Sequence, residues 1–334
     1  MSIGTSSVKE LITNHSKFVI VSHQSPDGDA VGSATGLARV LTNLTKEVVI
    51  VLPDPPSAVL LPFLSEVTCY FYNEKPTECE SVMDGATVLF ALDFNTTSRV
   101  GEALRPLLDS FQGKKVMIDH HQNPDNFADV LLSDTENTST CQLVYETLES
   151  MHLDYAIDLV AARALYLGMM TDTGSFRYPS VTSETHSVIS KLIGYGIRPF
   201  EIHEQVFDHQ SMDQLQLRGY AVSQKLVLSS SFPFAYITLT EEELNRFNYQ
   251  PGDTEGLVNV MLGIDGIQAG VLLSEKGGDI KLSFRSKNTC YVNEYAQRYF
   301  NGGGHRYAAG GRTKIGMEET VALLLSTYHE LFAS

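Results

Sequence analysis

The 334-residue sequence has no apolar run long enough to cross a membrane, and we expect no secretion signal at its N-terminus. Its four cysteines show no paired spacing, which predicts buried free thiols. Basic residues are scarce, 24 against 40 acidic ones, and the net charge of −16 argues against a protein that coats long nucleic acid. Ordinary apolar and charged contents, 43% and 19%, fit a cytoplasmic enzyme. The cysteines are Cys69, Cys79, Cys141 and Cys290.

The few basic residues are unevenly distributed. Between positions 281 and 314 there are seven of them and a single acid, Glu294, so this segment carries +6 and the rest of the chain −22. A plain basic face is one interpretation, and a local anion-binding surface for a small substrate is the other. The seven residues are Lys281, Arg285, Lys287, Arg298, Arg306, Arg312 and Lys314.

Short apolar runs alternate with helix-like segments in the first half of the chain. This alternation predicts an α/β domain with a mostly parallel sheet that helices bury on both faces. The predicted strands are 18–22, 48–52, 87–92 and 115–118, and the predicted helices are 30–44, 139–151 and 156–170. Ser139 is the expected N-cap of the second helix, with Gln142 completing a capping-box pattern.

The second half predicts a smaller α/β or α+β domain. A polar helical stretch at 198–227 is expected to join the two halves, and turn residues at 229–233 mark a boundary. Strands are predicted at 235–239, 267–274 and 279–285, with a hairpin turn at 276–278, and helices at 292–300 and 318–331. The predicted domains are therefore 1–195 and 231–334, with a helical linker at 196–230.

Imidazoles and carboxylates follow the predicted strands of the first half. In a parallel sheet, ligands bind at the carboxyl ends of the strands, near a switch in strand order. Imidazoles and carboxylates that several chain segments bring together there are suited to a divalent-metal centre. One bridging aspartate would hold two cations about 3.5–4 Å apart, the spacing used in attack on phosphoryl groups. The residues are His23, Asp27, Asp29, Asp93, Asp119, His120, His121 and Asp172.

Each of these residues also has a plainer interpretation. An aspartate after a strand is usually a helix cap or a turn former, and a lone histidine is usually solvated or a hydrogen-bonder in the core. A calcium loop around Asp27 and Asp29 is excluded, because Val31 and Ala38 occupy the positions of further oxygen ligands. The mixed donor set suits manganese, iron, cobalt or zinc better than calcium or magnesium.

A glycine cluster lies inside the basic segment, at Asn301-Gly302-Gly303-Gly304-His305. It allows close approach of the backbone to an anion, or it forms a tight turn needed only for packing. The spacing lacks the GxGxxG pattern, so a dinucleotide-binding fold is not indicated. Nearby Arg285 and His305 favour phosphate recognition.

Seven phrases of the sequence resemble, in order, motifs of the DHH phosphoesterase superfamily, whose name matches the triplet Asp119-His120-His121. Four lie in the first half: VSHQSPDGDAVGS, ALDFNTTSRVG, MIDHHQNPDNF and MMTDTGSFRY. Three lie in the second half and resemble the substrate-binding DHHA1 domain: DTEGLVN, LSFRSK and NGGGHRYAAGG. The resemblance covers nearly the whole chain and is closest to the small stand-alone members that degrade short oligoribonucleotides and 3′-phosphoadenosine 5′-phosphate.

The resemblance implies two divalent cations, with Mn²⁺ as the preferred metal, and an active site in a cleft between the two domains. One cation would be held by His23, Asp27 and Asp93, and the other by Asp29, Asp93, His120 and Asp172. Asp119 would orient an imidazole. His121 is expected to point away from His120 and to meet a phosphate oxygen or protonate the leaving alkoxide.

By the same resemblance, substrate would be bound by Arg285, Ser286, Gly303, Gly304 and His305. Arg99 is expected to reach the phosphate from the first domain, with a surface ion pair as the alternative. The expected partners are short single-stranded RNA or a small nucleotide, with no membrane and no long duplex nucleic acid. The oligomeric state is open, with a homodimer as one option.

We therefore expect a metal-dependent hydrolase of short oligoribonucleotides, of 3′-phosphoadenosine 5′-phosphate, or of both. A phosphodiesterase for cyclic dinucleotides or their linear products is an alternative. Inorganic pyrophosphatase is less favoured, because the second domain is large enough to bind a nucleotide. A nucleotide sensor without catalysis is the alternative from another class, and the intact set of metal ligands argues against it.

Overall fold

The computed structural model describes residues 3–208 and 210–332. The chain divides into two compact units, residues 1–209 and 210–334. No helix in the described part of the chain is long and apolar enough to cross a membrane. The four cysteines carry free thiols; Cys79, Cys141 and Cys290 are buried and Cys69 is half-buried.

The first unit contains a six-stranded parallel sheet in the order β3-β2-β1-β4-β5-β6. The strand order reverses between β1 and β4, which makes this pair the switch point of a doubly wound sheet. All four predicted strands are confirmed to within about a residue, whereas the short β3 and β6 were not predicted. The strands are β1 (Lys17–Val21), β2 (Glu47–Leu52), β3 (Cys69–Phe71), β4 (Val88–Leu92), β5 (Lys114–Asp119) and β6 (Val130–Ser133).

Helices cover both faces of this sheet, as the continuous apolar strands predict. Side chains of β1 alternate between two cores, with Phe18 and Ile20 in one and Val19 and Val21 in the other. The three predicted helices correspond to α2, α5 and α6. The helices are α1 (Ile3–Asn14), α2 (Gly28–Asn43), α3 (Pro76–Gly85), α4 (Gly101–Ser110), α5 (Thr140–Ser150), α6 (Leu159–Asp172), α7 (Ser183–Gly194) and α8 (Pro199–Phe207).

The second unit contains a mixed six-stranded sheet in the order β11-β12-β10-β9-β8-β7. Only β8 and β9 pair in parallel. The strands are β7 (Leu226–Leu228), β8 (Phe234–Leu239), β9 (Ala269–Lys276), β10 (Asp279–Ser286), β11 (Gly303–His305) and β12 (Ala308–Thr313), and the helices are α9 (Met212–Tyr220), α10 (Glu241–Arg246), α11 (Leu257–Leu262), α12 (Val292–Phe300) and α13 (Met317–Thr327). The predicted hairpin turn between β9 and β10 is confirmed: Gly277 and Gly278 have φ of 59° and 81°, which glycine adopts without strain.

Two sequence predictions for this region are wrong in detail. The helical stretch predicted at 198–227 is broken into α8 and α9, and after a π turn at 221–225 it ends in strand β7. The glycine cluster is not only a turn, because Gly303 begins strand β11, which pairs with β12. An added Cβ at Gly302 would lie 2.0 Å from the Gly310 carbonyl oxygen, so packing alone requires a glycine there.

Candidate metal centre

His23 and Asp93 meet at the switch point of the parallel sheet. His23 follows β1 and Asp93 follows the neighbouring β4, and the His23 Nε2 atom lies 3.2 Å from Asp93 Oδ2. Both residues are buried. Asp93 has a φ of 64°, a left-handed conformation that aspartate tolerates better than most residues and that often marks functional sites. Pairing of β1 with β4 therefore brings together residues 70 positions apart in the sequence.

Asp27 and Asp29 come from the first turn of α2. Asp27 is the N-cap of this helix, and its Oδ1 accepts hydrogen bonds from the backbone N–H groups of Asp29 and Ala30. The same oxygen lies 3.8 Å from His23 Nε2. The plainer interpretation of Asp27 as a cap is thus confirmed, and the cap also places a carboxylate beside His23.

The triplet Asp119-His120-His121 lies at the carboxyl end of β5. Asp119 accepts hydrogen bonds from the backbone N–H of His121 at 3.1 Å and from its Nδ1 at 2.7 Å, so the imidazole that it orients is that of His121. The two histidine rings do not point apart as expected. Their centroids are 5.0 Å apart, edge to face, and one nitrogen of each ring lies 3.7 Å from Asp93 Oδ1.

Asp172 enters the site from the last turn of α6. Its Oδ2 lies 3.4 Å from His120 Nε2, and Asp29 Oδ2 lies 3.8 Å from the same nitrogen. His23 and His120 share one arrangement: the Nδ1 of each ring bonds a backbone carbonyl, Gln24 O at 2.9 Å and Asn137 O at 3.2 Å respectively. This arrangement fixes the tautomer and directs both Nε2 atoms to the carboxylates.

The six predicted metal ligands, together with His121, form three overlapping groups among the described residues. Within each group, the candidate ligand atoms lie within 4.8 Å of one another, and Asp93 and His120 each belong to two of the groups. The Nε2 atom of His23 is buried and has no well-directed hydrogen bond among the described residues, although Asp93 lies at hydrogen-bond distance. Such an atom, surrounded by carboxylates, suits a cation. The groups are His23, Asp27 and Asp93; Asp93, His120 and His121; and Asp29, His120 and Asp172.

The carboxylates respond differently to this crowding. Burial, together with repulsion from Asp93 and Asp172, raises the pKa of Asp29 well above its usual value. Burial also raises the pKa of Asp172 to about 6, with His120 acting in the opposite direction. Burial alone would raise the pKa of Asp93, but the histidines around it hold that pKa well below the usual range. Crowded, desolvated carboxylates of this kind are relieved by bound cations.

The two imidazoles that point to the carboxylates show the reverse effect. Burial alone would lower the pKa of His23, but Asp93 and Asp27 outweigh it and raise the pKa to about 9. In the same way, Asp172 and Asp29 overcome the effect of burial and raise the pKa of His120 to about 9. The donor set therefore attracts positive charge, either as protons or as metal ions, and the residues fit a divalent cation.

The N-terminus of α5 supports the site in a way that the sequence analysis missed. The backbone N–H groups of Thr140 and Cys141 donate to the two carboxylate oxygens of Asp29 at 2.7 and 2.9 Å. The Thr140 hydroxyl also donates to Asp93 Oδ1 at 3.0 Å. The predicted cap Ser139 marks this helix start, and its Oγ accepts from the Gln142 N–H. The Gln142 side chain bonds Thr138 and Glu146, so the capping box is only half formed.

A second missed feature is a glycine at every fourth position of α2, which packs closely on α6. Added Cβ atoms at Gly28, Gly32 and Gly36 would lie 2.3–2.7 Å from atoms of α6. From the other side, a Cβ at Gly168 would lie 2.2 Å from Cys141 Sγ and 2.6 Å from Asp29 Oδ1. Close contact of these helices holds Asp29 and Asp172, which they carry, within one site. The spacing of the glycines was a readable signal.

The predicted substrate-binding residues divide into several environments. Arg99 lies half-buried in a 3₁₀ turn at 97–100, its carbonyl accepts from the Gln24 N–H at 2.7 Å, and its charge opposes protonation of His23. Arg285 is half-buried near the end of β10, and Gly303 is exposed at the start of β11. Ser286 is buried, and its hydroxyl donates to the Cys290 carbonyl.

Gly304 pairs with the buried Ala309 and has a φ of 137°, so its position reflects strand packing as well as any contact with an anion. The side chain of His305 lies outside the described part of the structure. Its backbone ends strand β11, opposite Ala308.

A doubly wound sheet with imidazoles and carboxylates converging at its switch point is the architecture of a metal-dependent hydrolase. Comparison with known proteins identifies the family. The N-terminal domain of the DHH family matches residues 17–169, and the DHHA1 domain matches residues 232–334. The chain is 30% identical, over 90% of both chains, to the bifunctional oligoribonuclease and PAP phosphatase NrnA of Bacillus subtilis (strain 168).

Two further comparisons agree. The structure of an exopolyphosphatase-related protein from Bacteroides fragilis superposes with a TM-score of 0.92 at 34% identity, covering 98% of this chain and 96% of that one. The cyclic-di-AMP phosphodiesterase GdpP of Geobacillus thermodenitrificans is 24% identical over 97% of this chain and 49% of its own length. The protein therefore belongs to the DHH family of phosphoesterases and is a hydrolase of phosphoester bonds.

Proposed function

We propose that the protein hydrolyses short oligoribonucleotides to mononucleotides, removes the 3′-phosphate of 3′-phosphoadenosine 5′-phosphate, or does both. The observation that carries the proposal is the position of Asp93, which is grouped both with His23 and Asp27 and with His120 and His121, because two cations sharing one carboxylate are suited to phosphoester hydrolysis. The similarity to NrnA over 90% of both chains supports this choice of substrates.

In this proposal, His23, Asp27 and Asp93 hold one divalent cation, and Asp29, Asp93, His120 and Asp172 hold the other. Manganese suits the mixed nitrogen and oxygen donors. Bound there, the cations would supply Lewis acidity and lower the pKa of a water molecule. The N–H groups of Thr140 and Cys141 keep the Asp29 carboxylate oriented toward its group.

His121 and Arg99 are proposed to act on the phosphate itself. The bond from His121 Nδ1 to Asp119 fixes the imidazole ring, and as an imidazolium His121 would keep its Nδ1 proton in that bond and give its Nε2 proton to the leaving oxygen. Arg99 adds positive charge next to His23, where negative charge develops on the phosphate oxygens. Asp119 thus acts through His121 and not on the substrate.

The second unit is proposed to bind the rest of the nucleotide. Arg285 offers a half-buried guanidinium on β10, and Gly303 leaves the backbone of β11 accessible, since no atom lies within 4 Å of an added Cβ. His305 is proposed to bind the phosphate as well. For Ser286 and Gly304, burial and strand pairing favour a supporting role through the positions of Arg285 and Gly303.

A turnover panel tests the proposal. Purified protein with Mn²⁺ would be incubated with 3′-phosphoadenosine 5′-phosphate, di- to pentaribonucleotides, linear and cyclic diadenylate, and pyrophosphate. We expect turnover of the first two classes and its loss after chelation. Absence of metal-dependent turnover of both would contradict the proposal, and nucleotide binding without any turnover would support the sensor alternative.

A cyclic-dinucleotide or linear-dinucleotide phosphodiesterase is the second candidate. It is favoured by the similarity to GdpP, although the chain spans about half the length of that protein. The same panel separates the two candidates, because this one requires cyclic or linear diadenylate to be hydrolysed with the highest kcat/KM.

A further inference from the structure

Strands β10 and β12 present three basic side chains on one side of the second sheet. Side chains alternate along β10: Ile280, Leu282 and Phe284 are buried in the core against α12 and α13, whereas Lys281 is exposed and Arg285 half-buried. Lys281 is directly opposite Arg312 of β12 in the antiparallel register. We call Lys281, Arg285 and Arg312 the cationic strip.

These cations lack the partners that other basic residues of the segment have. Among the described residues, Lys281 Nζ has no hydrogen bond or ion pair. The Nε atom of Arg285 is buried without a hydrogen-bond partner in that same part of the chain, while its Nη1 donates to the Phe284 carbonyl. Arg312 has only a long contact, 3.8 Å, with Asp279.

Three of the four remaining basic residues of the segment have other contacts. Arg298 pairs with Glu330 at 2.9 Å, and Lys287 donates to the Leu262 carbonyl at 3.0 Å. The Arg306 guanidinium lies 5.6 Å from the centre of the Tyr291 ring. The fourth, Lys314, follows β12 and has a long contact, 3.9 Å, with the same Asp279 as Arg312, so it adds positive charge beside the strip.

Like charges directly opposite each other on paired strands destabilise a sheet. Although the Lys281 side chain is exposed, desolvation of its ammonium group lowers its pKa, as do the charges of Arg312 and Arg285, and Glu255 is the nearby acid that works against this. Asp279 is the other acid near the strip, and it is shared between Arg312 and Lys314. The strip keeps a net positive charge, and a bound anion would offset the repulsion.

Building on the proposed function, we propose that the Lys281–Arg312 pair binds a second phosphate of the substrate, separate from the one bound at Arg285. Lys281 is four residues from Arg285 on β10, about 13 Å at the rise of a strand. That spacing exceeds the reach of one phosphate. The strip would therefore favour oligoribonucleotides longer than a dinucleotide, in the way that positively charged grooves follow single strands.

Equilibrium binding in EDTA tests the strip without turnover. Fluorescently labelled di- and pentaribonucleotides would be titrated with full-length wild-type protein and with the double variant Lys281→Gln/Arg312→Gln. We expect the variant to raise the Kd for the pentanucleotide by about tenfold or more and to leave that for the dinucleotide within about twofold. The slope of log Kd against log salt should fall by about 0.7, the value for one phosphate contact on a single strand.

The double variant Arg298→Gln/Arg246→Gln is the matched control, because it removes two charges from the same unit at exposed sites away from the strip. It should leave both affinities within about twofold. Four results would overturn the proposal. The strip variant could weaken the affinities for both oligonucleotides equally, or weaken neither. The strip and control variants could have equal effects, or the wild-type protein could fail to bind the pentanucleotide. The turnover panel is independent of this test, so the proposed function stands or fails separately.

Discussion

The metal centre of the first unit and the cationic strip of the second unit are built in opposite ways. Apart from the exposed Asp27, the centre is buried or half-buried, and its polar side chains are held by backbone groups: Asp27 caps α2, Asp29 accepts from the start of α5, and His23 bonds Gln24 O. On the strip, Lys281 and Arg312 are exposed side chains with few partners. The metal centre therefore depends on the exact positions of its side chains, whereas the cationic strip depends on its net positive charge.

The difference has an energetic basis. Displacing a ligand by about 1 Å removes much of the benefit of a preorganised centre, since the buried groups around it have no water to replace the lost contacts. An exposed cation keeps its solvent and acts through a screened field. Changes at the centre should therefore affect turnover by orders of magnitude, and changes at the strip should affect substrate affinity by smaller factors.

The largest expected effect is that of Asp93→Ala. Both ligand groups lose their shared carboxylate, so we expect kcat/KM to fall by about 10⁴-fold or more. Metal analysis of the purified variant should show loss of both cations. Asp84→Ala, at an exposed position of α3, is the control and should behave like wild type. Substantial manganese-dependent turnover by the Asp93 variant would contradict the shared-ligand arrangement.

The second largest effect should come from a substitution in the helix packing that supports the metal ligands. Gly168→Ala places a methyl group 2.2 Å from Cys141 Sγ and 2.6 Å from Asp29 Oδ1, so α2, α5 and α6 must separate. We expect a stability loss of about 1–3 kcal/mol in denaturant titrations, together with about a 10–100-fold loss of kcat.

Gly219→Ala is the control for this change, because no atom lies within 4 Å of its added Cβ in α9. That variant should be neutral or up to about 1 kcal/mol more stable. Equal stability and activity of the two variants would show that the close packing of α2 on α6 does not position Asp29.

Thr140→Val tests a single supporting hydrogen bond. The change keeps the volume and the backbone bond to Asp29 but removes the hydroxyl that donates to Asp93. We expect kcat to fall about tenfold and metal affinity to weaken, with little effect on the secondary structure seen by circular dichroism. Thr140→Ser should restore most of the activity, and failure of this rescue would indicate that the hydroxyl bond is not what matters.

The smallest effect should come from salt. Raising NaCl from about 50 to 200 mM screens exposed charges, so KM for a pentanucleotide should rise severalfold more than KM for a dinucleotide. The metal content should not change, since all ligands of the centre except Asp27 are buried or half-buried. An equal rise of KM for both substrates would contradict the proposed difference between the metal centre and the cationic strip.

Much of the architecture follows directly from local patterns. Apolar strands such as 88–92 and the donors that follow them, Asp93 among them, predict both the parallel sheet and the edge at which the site forms. Short, half-buried strands such as β3 carry too little apolar signal to be predicted. The order of the strands depends on long-range pairing, and so does the identity of the two neighbours at the switch point.

The support around the ligands was harder to predict. Thr140 contacts Asp93 and Asp29 only because α5 begins at the edge of the sheet, and no spacing in the sequence relates these residues. The orientation of His121 toward Asp93 was wrongly predicted, because the bond to Asp119 turns its ring back toward the site. In contrast, the glycines of α2 at intervals of four are visible in the sequence, although the close helix contact that they allow was not predicted.

The pairing of β1 with β4 has a consequence for folding. The donor atoms of His23 and Asp93 come within ligand distance only when these two strands are side by side, so a disordered chain contains no such site. Manganese that binds the native state alone should shift the unfolding equilibrium in proportion to the logarithm of its concentration. The melting temperature as a function of manganese concentration would thus report how completely the first unit is assembled.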